Sequence, residues 1–112
     1  MYNKYGNVKV VVNGRKFDSK HEAKRYSELL LLQRAGKIRD LKCQVVFELI
    51  PPQYDTRTHK CIERNCYYRA DFVYTDENGE QVVEDAKGFK SKDYIIKRKL
   101  MLWLRGIKIK EV

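Results

Sequence analysis

Two β-prone runs in the second half of the chain constrain its fold most, because only a short turn separates them. The first run is Cys66 to Thr75 and the second is Gln81 to Lys87. Between them lies Asp76-Glu77-Asn78-Gly79, a cluster of residues typical of tight turns. A connection this short can join only antiparallel neighbours. The sequence therefore predicts an antiparallel β-hairpin at the centre of the protein.

The segment before this hairpin predicts three more elements. Val8 to Phe17 contains Asn13-Gly14, a strong signal for a two-residue turn, and predicts an N-terminal β-hairpin. Residues 19–35 begin with the capping-box sequence Ser19-Lys20-His21-Glu22, continue with good helix formers and stop at Gly36, so they predict a helix. Cys43 to Ile50 predicts a strand that ends at Pro51-Pro52.

After the hairpin, Ser91 to Gly106 predicts a second helix and Ile107 to Val112 an edge strand. Gln53 to Asn65 is polar, basic and aperiodic, so it predicts a long loop. We expect this loop either to contact DNA or to be disordered. No linker or internal repeat divides the 112 residues. We therefore expect one domain, with the N-terminal hairpin in residues 1–17 and the core in residues 18–112.

Helical spacing assigns a buried face to each helix. In the first helix this face comprises Glu22, Ala23, Tyr26, Leu29, Leu30 and Gln33. Leu31 and Leu32 fall outside it, and are either exposed or in contact with another subunit. In the second helix the apolar side comprises Ile95, Ile96, Leu100, Leu102, Trp103 and Leu104.

The charge balance indicates the kind of partner. There are 24 Lys plus Arg against 15 Asp plus Glu, giving a formal charge of +9. Such an excess favours a polyanion, of which nucleic acid is the default, and a membrane surface is the weaker alternative. The longest apolar run, Leu29 to Leu32, is far too short to cross a bilayer, and Met1 to Val12 lacks the order of a signal peptide. We expect a cytoplasmic protein.

The cysteines do not form a dense framework. The chain has three cysteines, Cys43, Cys61 and Cys66. An odd number argues against a secreted disulfide scaffold. Cys61 and Cys66, with His59 nearby, are compatible with a zinc site. The CxxC pairs typical of structural zinc are missing, so free thiols in a loop are the favoured interpretation.

Three residues of the central hairpin indicate metal chemistry. Asp85 and Lys87 are two residues apart on one strand and project to the same side. Asp71 lies in the partner strand, where a short hairpin can bring it next to Asp85. Facing carboxylates repel each other without a cation, and Mg²⁺ accepts a site with a couple of carboxylates. Such an ion supports phosphodiester cleavage, in which Lys87 would position the nucleophile or neutralise the developing charge.

Each part of this interpretation has a plain structural alternative. Asp85 and Lys87 could be an exposed pair at a strand end, with Asp71 solvated. Glu22 follows Ser19 by three residues, so its carboxylate could simply accept from the Ser19 backbone N–H. Glu22 also lies on the apolar face of the first helix, where an acid is costly unless the metal site is close by. The residues alone leave these alternatives open.

The element order and these acids resemble the PD-(D/E)xK nuclease superfamily and, within it, the small phage endonucleases and Holliday-junction-resolvase-like proteins. The similarity spans about residues 17–112, with Asp71 in the second core strand and Asp85-Ala86-Lys87 in the third. Ala70 stands where the superfamily motif has proline, and Asp85 where many members have glutamate. The resemblance implies a restriction-endonuclease-like αβββαβ core of the α/β (α+β) class, in which two helices flank a central mixed sheet.

The resemblance also implies roles for single residues. Metal ligands would be Asp71, Asp85, the Ala86 carbonyl and Glu22, with Mg²⁺ as the ion and Mn²⁺ as its substitute. Catalysis would depend on Asp71, Asp85, Lys87 and Glu22. The kinship with phage proteins implies a phage or prophage origin and a bacterial host cell.

Basic residues near the predicted site suggest a path for DNA. They follow the third core strand and one side of the second helix, and comprise Lys90, Lys92, Tyr94, Lys97, Arg98 and Arg105. An ordinary solvated helix face is the alternative for each of them. More positive charge lies near the long loop, at Arg57, Lys60, Arg64 and Arg69.

These observations predict a metal-dependent DNA endonuclease. Branched or replication-intermediate DNA is among its candidate substrates. A homodimer is expected, because a domain this small covers few base pairs. The alternative is a nucleic-acid-binding protein without catalysis. A third class is an assembly factor that contacts its partner through Leu31 and Leu32.

Overall fold

The computed structural model describes residues 9–112. Val8, the first residue of the predicted N-terminal hairpin, lies outside the described residues, together with the rest of residues 1–8. In chain order the elements are β1 (Val10–Val12), β2 (Arg15–Phe17), α1 (Lys20–Arg34), β3 (Arg39–Ile50), β4 (Gln53–Tyr54), β5 (Cys61–Glu63), β6 (Cys66–Thr75), β7 (Gln81–Asp85), α2 (Lys92–Arg105) and β8 (Lys110–Glu111).

The predicted central hairpin is β6 and β7, which pair antiparallel from Phe72 opposite Glu84 to Thr75 opposite Gln81. At its turn, Asp76 Oδ1 accepts hydrogen bonds from the backbone N–H groups of Asn78 and Glu80. The hairpin lies inside a four-stranded sheet of order β3-β6-β7-β8, in which only β7 and β8 are parallel. The predicted α+β class is confirmed, with a mixed sheet, two helices and an N-terminal hairpin of β1 and β2.

Serine caps fix the starts of both helices. Ser19 Oγ accepts from the Glu22 backbone N–H at 3.1 Å, and Ser91 Oγ accepts from the Tyr94 N–H at 3.1 Å. Gly106 ends α2 in a left-handed conformation with φ of 66°. Because these caps are local interactions, the sequence predicted both helices to within about a residue.

Each helix covers one face of the sheet. The α1 layer buries Phe17, Ala23, Leu29 and Phe72 together. The α2 layer buries Tyr68, Ala70, Val83 and Met101 together. Leu31 is exposed as its spacing predicts, whereas Leu32 packs against the α1 layer. Among the described residues, neither helix is long and apolar enough to cross a membrane.

The predicted apolar face of α2 is wrong in large part. Tyr94 and Met101 are the buried residues of this helix. Four of the six residues assigned to the buried side are exposed: Ile96, Leu102, Trp103 and Leu104. The segment Leu100 to Leu104 is apolar around the whole helix, so its hydrophobicity cannot select the face that packs on the sheet.

Four strand predictions also need correction. Strand β7 ends at Asp85, two residues before the predicted end, and the last strand covers Lys110–Glu111 of the predicted Ile107 to Val112. The expected long loop contains β4 and β5, which pair with Gln53 opposite Glu63 and Tyr54 opposite Cys61. Strand β3 begins at Arg39, four residues before the predicted start.

The Cα radius of gyration is 16.7 Å, against about 13 Å for a compact domain of this size. The protein is therefore elongated, and β4 and β5 form an exposed extension of it.

Candidate active site

A local reversal of the sheet creates the site. Gln44 has a φ of 54°, in the left-handed region that is costly for a residue with a side chain. On one side of it Cys43 packs with the α1 layer, and on the other Val45 packs with the α2 layer. Residues two apart on a regular strand face the same way, so the alternation of β3 reverses at Gln44. The partner strand reverses between Ala70 and Phe72, and Asp71 lies at that point.

The reversal lets Asp71 reach groups from two other segments, and Gln44 links it to a third. Its Oδ2 accepts from the backbone N–H of Ala86 at 2.9 Å, directly after β7. Its Oδ1 lies 3.4 Å from Gln44 Nε2. The same amide nitrogen donates to Glu22 Oε1 of α1 at 3.0 Å. One amide group therefore bridges two acids that come from different layers of the protein.

Asp85 is the most deeply buried acid of the site, with a side chain that is 0% exposed. Its Oδ2 accepts from the Tyr68 hydroxyl at 2.5 Å. Its Oδ1 is buried and accepts no hydrogen bond from residues 9–112. The nearest cation is Lys87, whose Nζ lies 3.5 Å from Oδ1. Strand β7 ends at Asp85, so Lys87 lies beyond the strand on which it was predicted, but its side chain still meets that of Asp85.

The acids perturb one another. Burial raises the pKa of Asp85 to about 6, and the charge of Asp71 adds to this effect. Burial also raises the pKa of Glu22 to about 7, followed in importance by the charges of Asp71, Asp18 and Asp85. Repulsion between these carboxylates therefore reaches from the sheet to α1. Shifts of this kind concentrate at functional sites.

A cleft of about 900 Å³ opens above the acids. Its walls come from the start of α1, from β6 and from the segment after β7, and they comprise Asp18, Ser19, His21, Glu22, Asp71, Ala86, Lys87, Gly88 and Phe89. Lys87 packs along α2, with its Nζ 5.2 Å from the centre of the Tyr94 ring. The cleft is thus lined by the acids Glu22 and Asp71 and by Lys87, whose ammonium lies against Asp85 and the Tyr94 ring.

The donor set suits a hard divalent cation. Asp85 Oδ1 is a buried anionic oxygen without a hydrogen-bond donor, and the carboxylates of Asp71 and Glu22 lie close by. Oxygen donors of this kind are what Mg²⁺ accepts, together with several waters. Within residues 9–112, no group of three His, Cys, Asp or Glu side chains is already arranged to hold a metal ion.

A family model described as "Protein of unknown function (DUF1064)" matches residues 2–110 of the chain. The chain belongs to the DUF1064 family. No curated protein and no solved structure matches it significantly.

In this DUF1064 protein the four predicted catalytic residues converge. Asp71, Asp85 and Lys87 meet at the end of β7, and Glu22 faces them from α1. The Glu22 backbone N–H donates to the Ser19 hydroxyl, whereas its carboxylate accepts from Gln44 and not from the expected Ser19 N–H. Ala86 joins the group through its backbone, as its N–H binds Asp71.

Two side chains of the site were not predicted. Tyr68 follows the strand pattern of β6 and gives no sign of a polar role until its hydroxyl is seen on Asp85. Gln44 lies in a β-prone run whose regular alternation gives no indication of a left-handed residue. Both depend on the register between β3, β6 and β7, which a single sequence does not specify.

The basic residues fall into different environments. Tyr94 is 5% exposed, so its predicted place on an exposed basic side of α2 is wrong. Arg98 and Lys90 both lie against Glu111, at 3.3 and 3.7 Å. Arg105 donates to the Glu48 carbonyl at 2.7 Å. The remaining two are Lys97, which lies 3.8 Å from Asp93, and Lys92, which is exposed.

The three cysteines are free thiols. Cys61 is exposed and its Sγ lies 3.2 Å from the Glu63 carbonyl, within the β4–β5 extension. Cys43 is half-buried, and burial raises the pKa of its thiol.

Proposed function

We propose that this chain is a Mg²⁺-dependent DNA endonuclease of the PD-(D/E)xK type, which hydrolyses phosphodiester bonds. The observation that carries the proposal is that Glu22, Asp71 and Lys87 line one cleft while Asp85 is buried directly beside Lys87. A protein gains no stability from placing two further acids near Asp85, whose buried Oδ1 accepts no hydrogen bond within the described residues. Such an arrangement is expected where a cation and its substrate belong.

Asp71 and Asp85 would hold the metal, with Glu22 and the Ala86 carbonyl completing its ligands. When bound, Mg²⁺ or Mn²⁺ supplies an activated water and stabilises charge on the phosphoryl oxygens. Tyr68 fixes the orientation of the Asp85 carboxylate by donating to Oδ2. Gln44 holds Glu22 and Asp71 side by side.

Lys87 has the position of a charge stabiliser. It lies at the wall of the cleft, with its side chain 36% exposed, so its ammonium can meet a phosphate entering from solvent. Asp85 and the Tyr94 ring restrict its position before substrate arrives. A pre-positioned cation stabilises developing negative charge without reorganisation.

The charge of the whole chain supports DNA as the substrate. The net charge is +9, and phosphate contacts dominate the affinity of such proteins for nucleic acid. Lys92 is exposed at the start of α2, three residues after Phe89 of the cleft, and would contact phosphate there. The remaining predicted DNA-binding residues, Lys90, Lys97, Arg98 and Arg105, combine such contacts with their internal ones.

A plasmid-nicking assay tests the proposal. Wild-type protein with Mg²⁺ or Mn²⁺ should convert supercoiled DNA to nicked DNA, and EDTA should stop the reaction. Asp85→Asn and Lys87→Ala should reduce the rate at least 100-fold. Glu77→Gln removes an exposed acid from the β6–β7 turn and serves as the matched control. Unchanged activity in Asp85→Asn, or DNA binding without cleavage in wild type, would leave a nucleic-acid-binding protein without catalysis.

We further propose a homodimer that acts in the cytoplasm of a bacterial host, as a phage or prophage product. Two copies would present two sites to the two strands of a duplex. Light scattering coupled to size-exclusion chromatography should give twice the 13.4 kDa chain mass.

A further inference from the structure

Phe89 is an aromatic side chain placed at the mouth of the cleft. It is 82% exposed, although phenylalanine is among the residues most often buried in proteins. It is also the one large apolar side chain among the residues that line the cleft. The ring thus lies on the same surface as Glu22, Asp71 and Lys87.

The sequence neighbours of Phe89 are basic. Lys87 precedes it by two residues, and Lys90 and Lys92 follow it within three. The side chains of Lys87 and Lys90 are 36% and 47% exposed, so both ammonium groups can reach a ligand in solution. A ring between lysines matches a nucleotide, whose base offers a flat face and whose phosphates offer charge.

The form of the DNA follows from which base faces are accessible. In an intact duplex every base is stacked on both sides, so a protein ring meets only groove edges and phosphates. A base offers its face only where the stack is broken, as at a flap, a gap or a junction, or where an apolar wedge opens a step. An exposed phenylalanine beside the reacting phosphate therefore suits broken stacks.

We infer that Phe89 stacks on an unpaired or unstacked base next to the scissile phosphate, so that the substrate is DNA with a single-stranded or branched segment at the cleavage position. This inference rests on the proposed nuclease function. It assigns Phe89 to substrate selection, distinct from the acids that serve the chemistry.

Binding can be measured without cleavage in the full chain carrying Asp85→Asn. The probes are a fluorescently labelled 5′-flap DNA and a fully paired duplex of the same length, in Mg²⁺. Phe89→Ala should weaken flap binding roughly 5- to 150-fold, the loss expected for one stacked base, and duplex binding less than twofold. Phe89→Trp should restore flap binding. Trp103→Ala, which removes an aromatic that is 81% exposed on α2, is the matched control and should change neither.

Fluorescence gives a second readout. Trp103 is the single tryptophan of the chain, so Phe89→Trp with Trp103→Phe places the only indole at the cleft. Flap DNA should quench its emission, and paired duplex should not. Equal losses of flap and duplex affinity in Phe89→Ala, or no quenching by the flap, would overturn the inference.

The two proposals fail separately. If wild type cleaves no DNA while Phe89 still governs flap binding, the nuclease function is wrong and base stacking stands. If wild type cleaves flap and duplex equally well and Phe89→Ala has no effect on either, the nuclease function stands and base stacking is wrong.

Discussion

At the scale of single residues, the site is destabilising when it holds no ligand. Asp85 is fully buried, one of its oxygens accepts no hydrogen bond within the described chain, and Asp71 lies beside it. The raised pKa values of Asp85 and Glu22 express the same fact, since each shift means that the folded state disfavours the charged carboxylate.

Asp85→Asn should therefore stabilise the fold while abolishing cleavage. The amide keeps the shape of the side chain and removes a buried charge, so the free energy of unfolding should rise by about 1 kcal/mol and Tm by about 4 °C. Thermal unfolding without divalent metal measures this, with Glu77→Gln as the control. A lower Tm for Asp85→Asn would mean that the carboxylate is a structural group.

Gln44 combines backbone strain with the positioning of two acids, and these effects can be separated. Gln44→Ala and Gln44→Gly both remove the amide between Glu22 and Asp71, so both should lower the cleavage rate and raise the Mg²⁺ concentration required. Only glycine relaxes the left-handed backbone, so Gln44→Gly should be more stable than Gln44→Ala by about 1 kcal/mol. Urea unfolding gives the comparison. Equal stability of the two variants would contradict the left-handed conformation at this residue.

Prediction from sequence at this scale succeeded where one strand settles the geometry. Strand alternation led to the pairing of Asp85 with Lys87, although β7 ends at Asp85, and the short hairpin led to Asp71. Glu22 stayed open between two roles because the distance from α1 to the sheet is a tertiary quantity. Tyr68 and Gln44 were missed because the reversal at Gln44 breaks the alternation on which such reasoning rests.

At the scale of elements, a buried ion pair ties α1 to β7. Arg25 donates two hydrogen bonds to Glu84, at 2.8 and 2.7 Å, and Glu84 also accepts from the Tyr74 hydroxyl. Glu84 is 0% exposed, while Arg25 is 18% exposed. Arg25 lies at the boundary of α1 with solvent, from where its long side chain reaches Glu84.

Arg25→Ala should destabilise the protein by about 3 kcal/mol, because it leaves Glu84 charged, buried and without its main partner. Denaturant unfolding measures the loss. Arg25→Ala with Glu84→Gln should recover part of that stability, since the orphaned charge is then gone. If the double variant is as unstable as the single one, packing of the arginine side chain and not the ion pair holds α1 to the sheet.

Element bounds and element faces differ in how far a sequence specifies them. The helix bounds depend on Ser19, Ser91 and Gly106, which act within one turn of the chain. The buried face of α2 depends on what the sheet presents to it, and there the sequence failed, because five consecutive apolar residues suit several orientations equally well. Strands β4 and β5 were missed for a related reason: each is short and exposed, and within residues 9–112 they form a separate two-stranded sheet.

At the scale of the whole molecule, the charge should control binding to DNA. The net charge of +9 belongs to an elongated chain, which spreads its basic groups over a long surface. If about half of that excess meets phosphates, the slope of log K against log salt concentration should be about −4, a loss of about 250-fold between 50 and 200 mM salt. Fluorescence anisotropy with the Asp85→Asn chain, in which DNA stays intact, measures this slope.

Two variants divide that affinity into its physical parts. Lys92→Ala removes a phosphate contact, so it should lower affinity for flap and duplex alike and reduce the slope by about 1. Phe89→Ala removes stacking, which releases no counterions, so it should lower flap affinity and leave the slope unchanged. If binding ignores salt altogether, the positive charge does not serve DNA, and an assembly factor becomes the better explanation of this molecule. If Phe89→Ala changes the slope, the ring does not stack on a base but instead positions the neighbouring lysines for phosphate contact.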